Sequence, residues 1–205
     1  TYPRAREPAL REASAEVPSG SVLAILGPNG CGKSTLLGAL IGTRRPSAGK
    51  VRFDGRDILS ASAGERARLS AFLPQIAIFG KPSAEDEAAA IGALESAGAI
   101  ALAGRRVNEL SGGELQLVRI ARCLTQGTPA IVMDEPTSML DPRHARMVAD
   151  RILALSASGR TIVFSTHDTA FAAYAADCAV LMRDGRTLYQ GSAPEALRAD
   201  RLASC

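Results

Sequence analysis

Ser21–Leu26 (SVLAIL) runs straight into Gly27-Pro28-Asn29-Gly30-Cys31-Gly32-Lys33-Ser34, and from Lys33 to Gly42 the pattern turns helical. A short apolar run closed by glycine reads as a buried strand. The loop that follows matches G-x-x-x-x-G-K-[ST] in the setting its mechanism needs, after a strand and at the start of a helix. Glycines let the backbone curl until successive N–H groups point inward at phosphate oxygens. The helix adds the positive end of its dipole. Lys33 is then placed to neutralise the β- and γ-phosphates of ATP, and the Ser34 hydroxyl to ligate Mg²⁺. A glycine-rich turn before a core helix is the plainer alternative, and the context argues against it. Cys31 sits among these donors at a helix start, which favours the thiolate. A thiol reagent is therefore expected to block ATP binding, unless Cys31 is simply a small residue tolerated in the loop.

Outward from this loop, short β-rich runs alternate with helical patterns, the signal of a mainly parallel sheet flanked by helices. Lys50–Phe53, Ser70–Leu73, Ala130–Met133, Thr161–Ser165 and Cys178–Met182 read as strands. Arg186–Gln190 reads as the return arm of a hairpin over Asp184-Gly185. Pro142–Ala157 is a long amphipathic helix with Asp141 as its N-cap and Gly159 as its stop. Ser83-Ala84-Glu85-Asp86 resembles a capping box opening an Ala-rich helix. From Lys81 to Gln126 the pattern is helical without a strand, which reads as a helical subdomain inserted into the α/β core.

Composition bounds the function. The chain of 205 residues is long enough for one domain, and a net charge of +3 is close to balance. Its basic residues are scattered, and eight aromatics without Trp leave few stacking platforms, so nucleic acid is not the expected partner. No apolar run is long enough to cross a bilayer and no signal peptide opens the chain, so a soluble protein is expected. Cys31, Cys123, Cys178 and Cys205 are too widely spaced for a zinc knuckle or disulfide framework, and read as free thiols in a reducing compartment.

Ile131-Val132-Met133-Asp134-Glu135 is a strand ending in two acids. Asp134 is expected to hold Mg²⁺, and Glu135 to polarise an attacking water. An Asp-Glu pair alone would be a solvated turn, but Mg²⁺·ATP needs a carboxylate at a neighbouring strand end. His167 follows Thr161–Ser165 in the same way and would reach the γ-phosphate or the water held by Glu135. Gln75, after Leu73-Pro74, could sense the γ-phosphate through Mg²⁺ or water. His144 is read as lying on the exposed side of a helix, without function.

Leu110-Ser111-Gly112-Gly113-Glu114-Leu115-Gln116 is a second anion-binding turn at a helix start, with N–H groups expected to be unpaired and aimed outward. An isolated Ser-Gly-Gly would be a plain N-cap by Ser111. Two phosphate grips beside one phosphate loop suggest that the second serves another subunit's nucleotide. The ordered set Gly27–Thr35, Gln75, Leu110–Gln116, Ile131–Pro136, Ser138–Asp141 and His167 resembles an ATP-binding cassette (ABC) ATPase over nearly the whole chain.

The resemblance implies an α/β fold: a P-loop NTPase core with a small antiparallel β subdomain and the inserted helical subdomain. The single domain spans 1–205, with its core at about 1–75 and 128–205 and the helical subdomain at about 76–127. It also implies two cassettes packed head to tail as a homodimer. Lys33, Ser34, Gln75, Asp134, Glu135 and His167 would serve the site in cis, with Asn29, Gly30, Cys31, Gly32 and Thr35 completing the ATP-binding loop. Ser111, Gly113 and the Asp141 turn would serve it in trans, and Tyr2 is similar in position to the aromatic that stacks on adenine. The metals implied are Mg²⁺ ligands alone: Ser34, Gln75 and Asp134.

Phe79-Gly80-Lys81-Pro82-Ser83-Ala84-Glu85-Asp86 looks like the importers of metal chelates, a branch handling iron siderophores, haem, cobalamin and molybdate. The implied partners are a membrane permease and, indirectly, a substrate-binding protein, with the chain peripheral on the cytoplasmic face of the membrane. Relatives carry a longer stretch between Gln75 and Phe79, which contributes to the groove where the permease docks. The competing readings are a soluble ABC ATPase of repair, translation or iron–sulfur assembly, and a nucleotide-gated interaction module.

Overall fold

The structure is a computed structural model that describes residues 8–74, 91–138 and 140–205. Its centre is a six-stranded sheet built from β1 (Val22–Leu26), β4 (Ser70–Leu73), β5 (Ala130–Asp134), β6 (Thr161–Thr166), β7 (Cys178–Arg183) and β8 (Arg186–Ser192), in the order β4-β5-β6-β1-β7-β8. All pairings are parallel except β7 with β8. A separate two-stranded antiparallel ribbon pairs β2 (Arg52–Phe53) with β3 (Arg56–Asp57).

The central strands are buried on both faces: β1 is apolar at every position, not at alternate ones, and β5 and β6 are so apart from polar residues at their ends. In β1, Leu23 and Ile25 face one layer with Leu36 and Leu37 of helix α1 (Lys33–Leu40). Val22, Ala24 and Leu26 face the other, with Ile131, Met133, Ile162 and Phe164. Helices α4 (Gly112–Leu124), α5 (Pro142–Ala157) and α6 (Thr169–Ala175) cover that second face with Leu117, Ile120, Val148, Ile152 and Phe171. In α5 the buried positions Val148, Ala149, Ile152 and Leu155 follow the helical period and form its inward stripe. Phe171 meets Phe164 edge to face at 5.1 Å.

The expected strand Lys50–Phe53 is shorter: only Arg52–Phe53 pairs, across the Asp54-Gly55 turn, whose residues both have positive φ. The same turn chemistry at Asp184-Gly185 makes the β7–β8 hairpin as expected. Helix α2 (Ala63–Leu69) was not legible as an amphipathic pattern because none of its residues is buried. It is set instead by a capping box between Ser62 and Glu65, a signal present in the sequence.

Between 91 and 126 the described residues are helical or irregular, as expected: helical residues 91–96 (α3), two single 3-10 turns and α4. Ala93, Ala97 and Ala99 share one apolar cluster with the sheet. Two further short helices, α7 (Ala193–Ala196) and α8 (Ala199–Leu202), follow β8. The expected capping box at Ser83 lies outside the described residues, as do the other residues of Phe79–Asp86.

Residues before β1 run along β8. Glu12 bridges Arg186, Arg11 N–H donates to the Gly185 carbonyl at 2.9 Å, and the Thr187 and Gln190 side chains bond backbone groups of Ser14 and Glu16. Two side chains thus supply ladder bonds where strand pairing stops. This brings Ala9 over the glycine-rich loop.

Candidate active site

In an open parallel sheet, ligands collect at the carboxyl ends of the strands. The register here brings three such ends level: Leu26 pairs with Thr166, and Asp134 with Ser165. Loop 27–32, the Asp134-Glu135 pair and His167 therefore emerge side by side from β1, β5 and β6.

The loop is shaped by glycines with no substitute. Gly27 has φ +154 and a Cβ there would stand 2.2 Å from the Met182 carbonyl oxygen. Gly32, the N-cap of α1, has φ +107, and a Cβ would lie 2.8 Å from the Ala9 carbonyl oxygen. Lys33 is 5% exposed, and its Nζ donates to the carbonyls of Gly27 at 2.7 Å and Pro28 at 3.1 Å. The loop's own oxygens hold the ammonium at the bottom of the curl. A cavity of about 470 Å³ opens above it, lined by Asn29, Gly30, Gly32, Lys33, Ser34, Thr35, Glu135 and Ala9.

Asp134 is buried at the end of β5, and Ser165 Oγ donates to its Oδ1 at 2.5 Å. The same hydroxyl accepts the Glu135 N–H at 3.0 Å. Glu135 holds φ +47, a left-handed conformation uncommon for a residue with a side chain, and of the kind that clusters at functional sites. That turn sends its carboxylate into the cavity while Asp134 stays against the sheet. His167 Nδ1 lies 3.6 Å from Glu135 Oε1, with its side chain 63% exposed. Ser165, fully buried, was missed from the sequence, where a strand-terminal Ser carries no signal of its own.

Cys31 fits the plainer of its two readings. It is 4% exposed, and burial pushes its thiol above the usual range, outweighing the Lys33 charge that would lower it. The loop's donors do not make it a reactive thiolate; the tolerated small residue is the better description.

At the Ser111-Gly112-Gly113 turn, Ser111 is after all an N-cap. Its Oγ accepts the Glu114 N–H at 3.3 Å, and Glu114 Oε2 accepts the Ser111 N–H at 2.8 Å. The expectation that the turn's N–H groups stand unpaired is corrected for Ser111, while Gly112 and Gly113, the first helical positions, fall outside the helix's own ladder. Arg105 braces the box through Glu114 Oε1 at 2.7 Å. Asp141 caps α5 as expected, accepting the His144 N–H at 2.9 Å, and that bond is the main cause holding its carboxyl below the usual carboxylate range. His144 is not on an exposed face: it is half-buried, with Nδ1 2.6 Å from Asp141 Oδ2 and its ring against Gly113. Tyr2 and Gln75 lie outside the described residues. No helix among the described residues is long and apolar enough to cross a membrane.

The sequence matches the ABC transporter family over residues 10–138. Hemin import ATP-binding protein HmuV of Streptomyces coelicolor is 39% identical over 216 residues, covering 96% of this chain and 77% of that protein. Its counterpart from Pseudomonas entomophila is 39% identical over 190 residues, covering 82% of this chain and 74% of that protein. Among solved structures, a metal-chelate type ABC transporter in an inward-facing conformation superposes with a TM-score of 0.78 at 30% identity, over 92% of this chain and 79% of that one. CbiO1 of Clostridium perfringens, part of the transporter complex cbiONQ, gives 0.82 at 26% identity, over 96% and 86%. With the strand ends, loop and carboxylates already arranged for a nucleoside triphosphate, this chain belongs to the ABC transporter family as one of its ATP-binding subunits.

Proposed function

We propose that this chain hydrolyses ATP to drive import of a metal chelate through a separate membrane permease, with hemin, the cargo named for its relatives, as the substrate to test first. The observation that carries the reading is the convergence of Lys33, Asp134, Glu135 and His167 at the level ends of adjacent parallel strands.

Lys33 receives the β- and γ-phosphates over the loop N–H groups. Glu135 takes a proton from a water aligned with the γ-phosphorus, the new P–O bond forms, and the bond to the β-phosphate oxygen breaks to release ADP and phosphate. His167, beside Glu135, holds that water or the γ-phosphate in line. The donor set of the Ser34 hydroxyl and the Asp134 carboxylate fits a hard cation, and Ser165 orients that carboxylate. These two residues, joined by Gln75, would hold Mg²⁺, which supplies charge neutralisation at the phosphates when bound. Tyr2 would stack on the adenine.

One chain offers the phosphates a floor and one wall. Ser111, Gly113 and the Asp141 turn would close the pocket of a second identical chain packed head to tail, and a substrate-binding protein would deliver cargo to the permease. A charge-stabilised pocket that closes only on ATP couples hydrolysis to reopening. The test is phosphate release by the purified chain, with and without its permease, together with hemin uptake by cells carrying both. ATP-dependent uptake that disappears with Glu135→Gln supports the reading. Hydrolysis without any dependence of uptake on this chain would favour the non-transport ATPase, and no hydrolysis would favour the nucleotide-gated module.

A further inference from the structure

The α4 and α5 helix starts meet at the His144 side chain. A Cβ built on Gly113 would meet the His144 ring at 1.9 Å from Cδ2, 2.2 Å from Cγ and 2.6 Å from Cβ, so the imidazole lies directly on the Gly113 backbone. That ring is not free to swing aside. Its Nδ1 is 2.6 Å from Asp141 Oδ2, while the other carboxylate oxygen takes the His144 N–H at 2.9 Å. Beside it, Leu140 Cδ2 lies within ordinary contact of the space a Cβ on Gly112 would fill, at 3.7 Å. The α5 turn is itself tied to the catalytic strand end: Ser138 N–H donates to the Glu135 carbonyl at 3.1 Å, and Leu140 N–H to the Thr137 carbonyl at 3.1 Å.

We propose that His144 is a positioning residue that locks the Ser111-Gly112-Gly113 turn to the Asp141 turn, so that both present to the partner chain as one rigid element. This rests on the reading that both turns serve the second chain's nucleotide. Locked turns reach that nucleotide together, without the entropy cost of ordering each one separately. The contact also gives Gly113 a steric reason apart from any phosphate: no side chain fits beneath the ring.

The test is a double-mutant cycle on the full chain with Gly113→Ala, His144→Ala and the pair. With His144 present, Gly113→Ala lowers the melting temperature by about 5 °C or more. With His144→Ala, the added methyl is neutral or raises it, since alanine is the better helix former. In the function arm, His144→Ala leaves nucleotide affinity of the dilute chain unchanged. It raises the ATP concentration for half-maximal turnover about tenfold, and His144→Asn, which can still donate to Asp141, recovers most of that loss. Additive melting shifts, or wild-type turnover in His144→Ala, would overturn the lock. If wild-type turnover per chain stays constant on dilution, the two-chain pocket fails, and the proposal with it. If turnover rises with chain concentration while the melting shifts add, only the lock fails.

Discussion

His167 Nδ1 stands 3.6 Å from Glu135 Oε1, an exposed imidazole against a carboxylate that is mostly covered. The distance is too long for a hydrogen bond, yet it sets the imidazole beside a carboxylate that lines the cavity over Lys33. In the proposed reaction the carboxylate would be the general base and the imidazole the group that keeps the water or the phosphate in place.

Glu135→Gln keeps the shape and removes the base. Hydrolysis should fall by a factor of about 10² to 10⁴ while ATP still binds. Size-exclusion chromatography in Mg²⁺ and ATP should then show a trapped dimer. A variant that stays monomeric and hydrolytic removes Glu135 from the role.

His167→Ala should lower kcat by about 10²-fold with nucleotide affinity unchanged. The exposed ring contributes little to the core, so the melting temperature should hold within a degree or two. Equal losses in affinity and turnover would mean that His167 binds ATP in the ground state instead.

Ser165→Ala tests a residue the sequence hid. Its hydroxyl donates to the buried Asp134 Oδ1 and accepts from the partly buried Glu135 N–H, so its loss removes a partner from each. The cost should be about 1–3 kcal/mol in urea unfolding. Turnover should fall as well, because the same hydroxyl holds both the Asp134 carboxylate and the N–H of the left-handed Glu135. A variant with unchanged stability and unchanged turnover would show the hydroxyl to be dispensable.

The split between what was legible and what was hidden follows the range of the forces. The strand–loop–helix at Ser21–Gly42, the Asp141 cap and the Asp184-Gly185 hairpin are local, written in consecutive residues, and stand where they were expected. Ser165 and His144 act across the fold, on Asp134 and Gly113, and no spacing in the chain announces either contact. For Cys31 the plainer reading, a small residue tolerated in the loop, holds over the reactive one, because neighbouring donors are visible in sequence and desolvation is not. Strand β2 came out shorter than the expected Lys50–Phe53 because pairing, not propensity, ends a strand.

Burial orders the thiols. Cys31 and Cys123 are buried, with Cys123 pushed up to about 11 by desolvation, whereas Cys178 and Cys205 are partly exposed. Iodoacetamide at neutral pH should label Cys178 and Cys205 first, with Cys31 following only as the fold opens. Peptide mass spectrometry over time reads the order directly, and early labelling of Cys31 would restore the reactive-loop view.

Acid should loosen the Ser111–Glu114 capping box before it reaches the core. Glu114 is held below its ordinary value of 4.5, chiefly by the Ser111 N–H and then by the Ser111 hydroxyl contact. A carboxylate whose folded pKa is depressed adds stability that is present above the unfolded value. That stability drains as pH falls through the folded one. The loss therefore begins below about pH 4.5 and grows downward. Asp141, held low chiefly by the His144 N–H, follows the same sign from 3.8. Glu114→Gln keeps an acceptor for the Ser111 N–H but cannot be protonated there. Its melting temperature should start slightly below wild type at pH 7 and fall less steeply between pH 4.5 and 3. Parallel slopes for the two proteins would show that the cap carries none of the acid sensitivity.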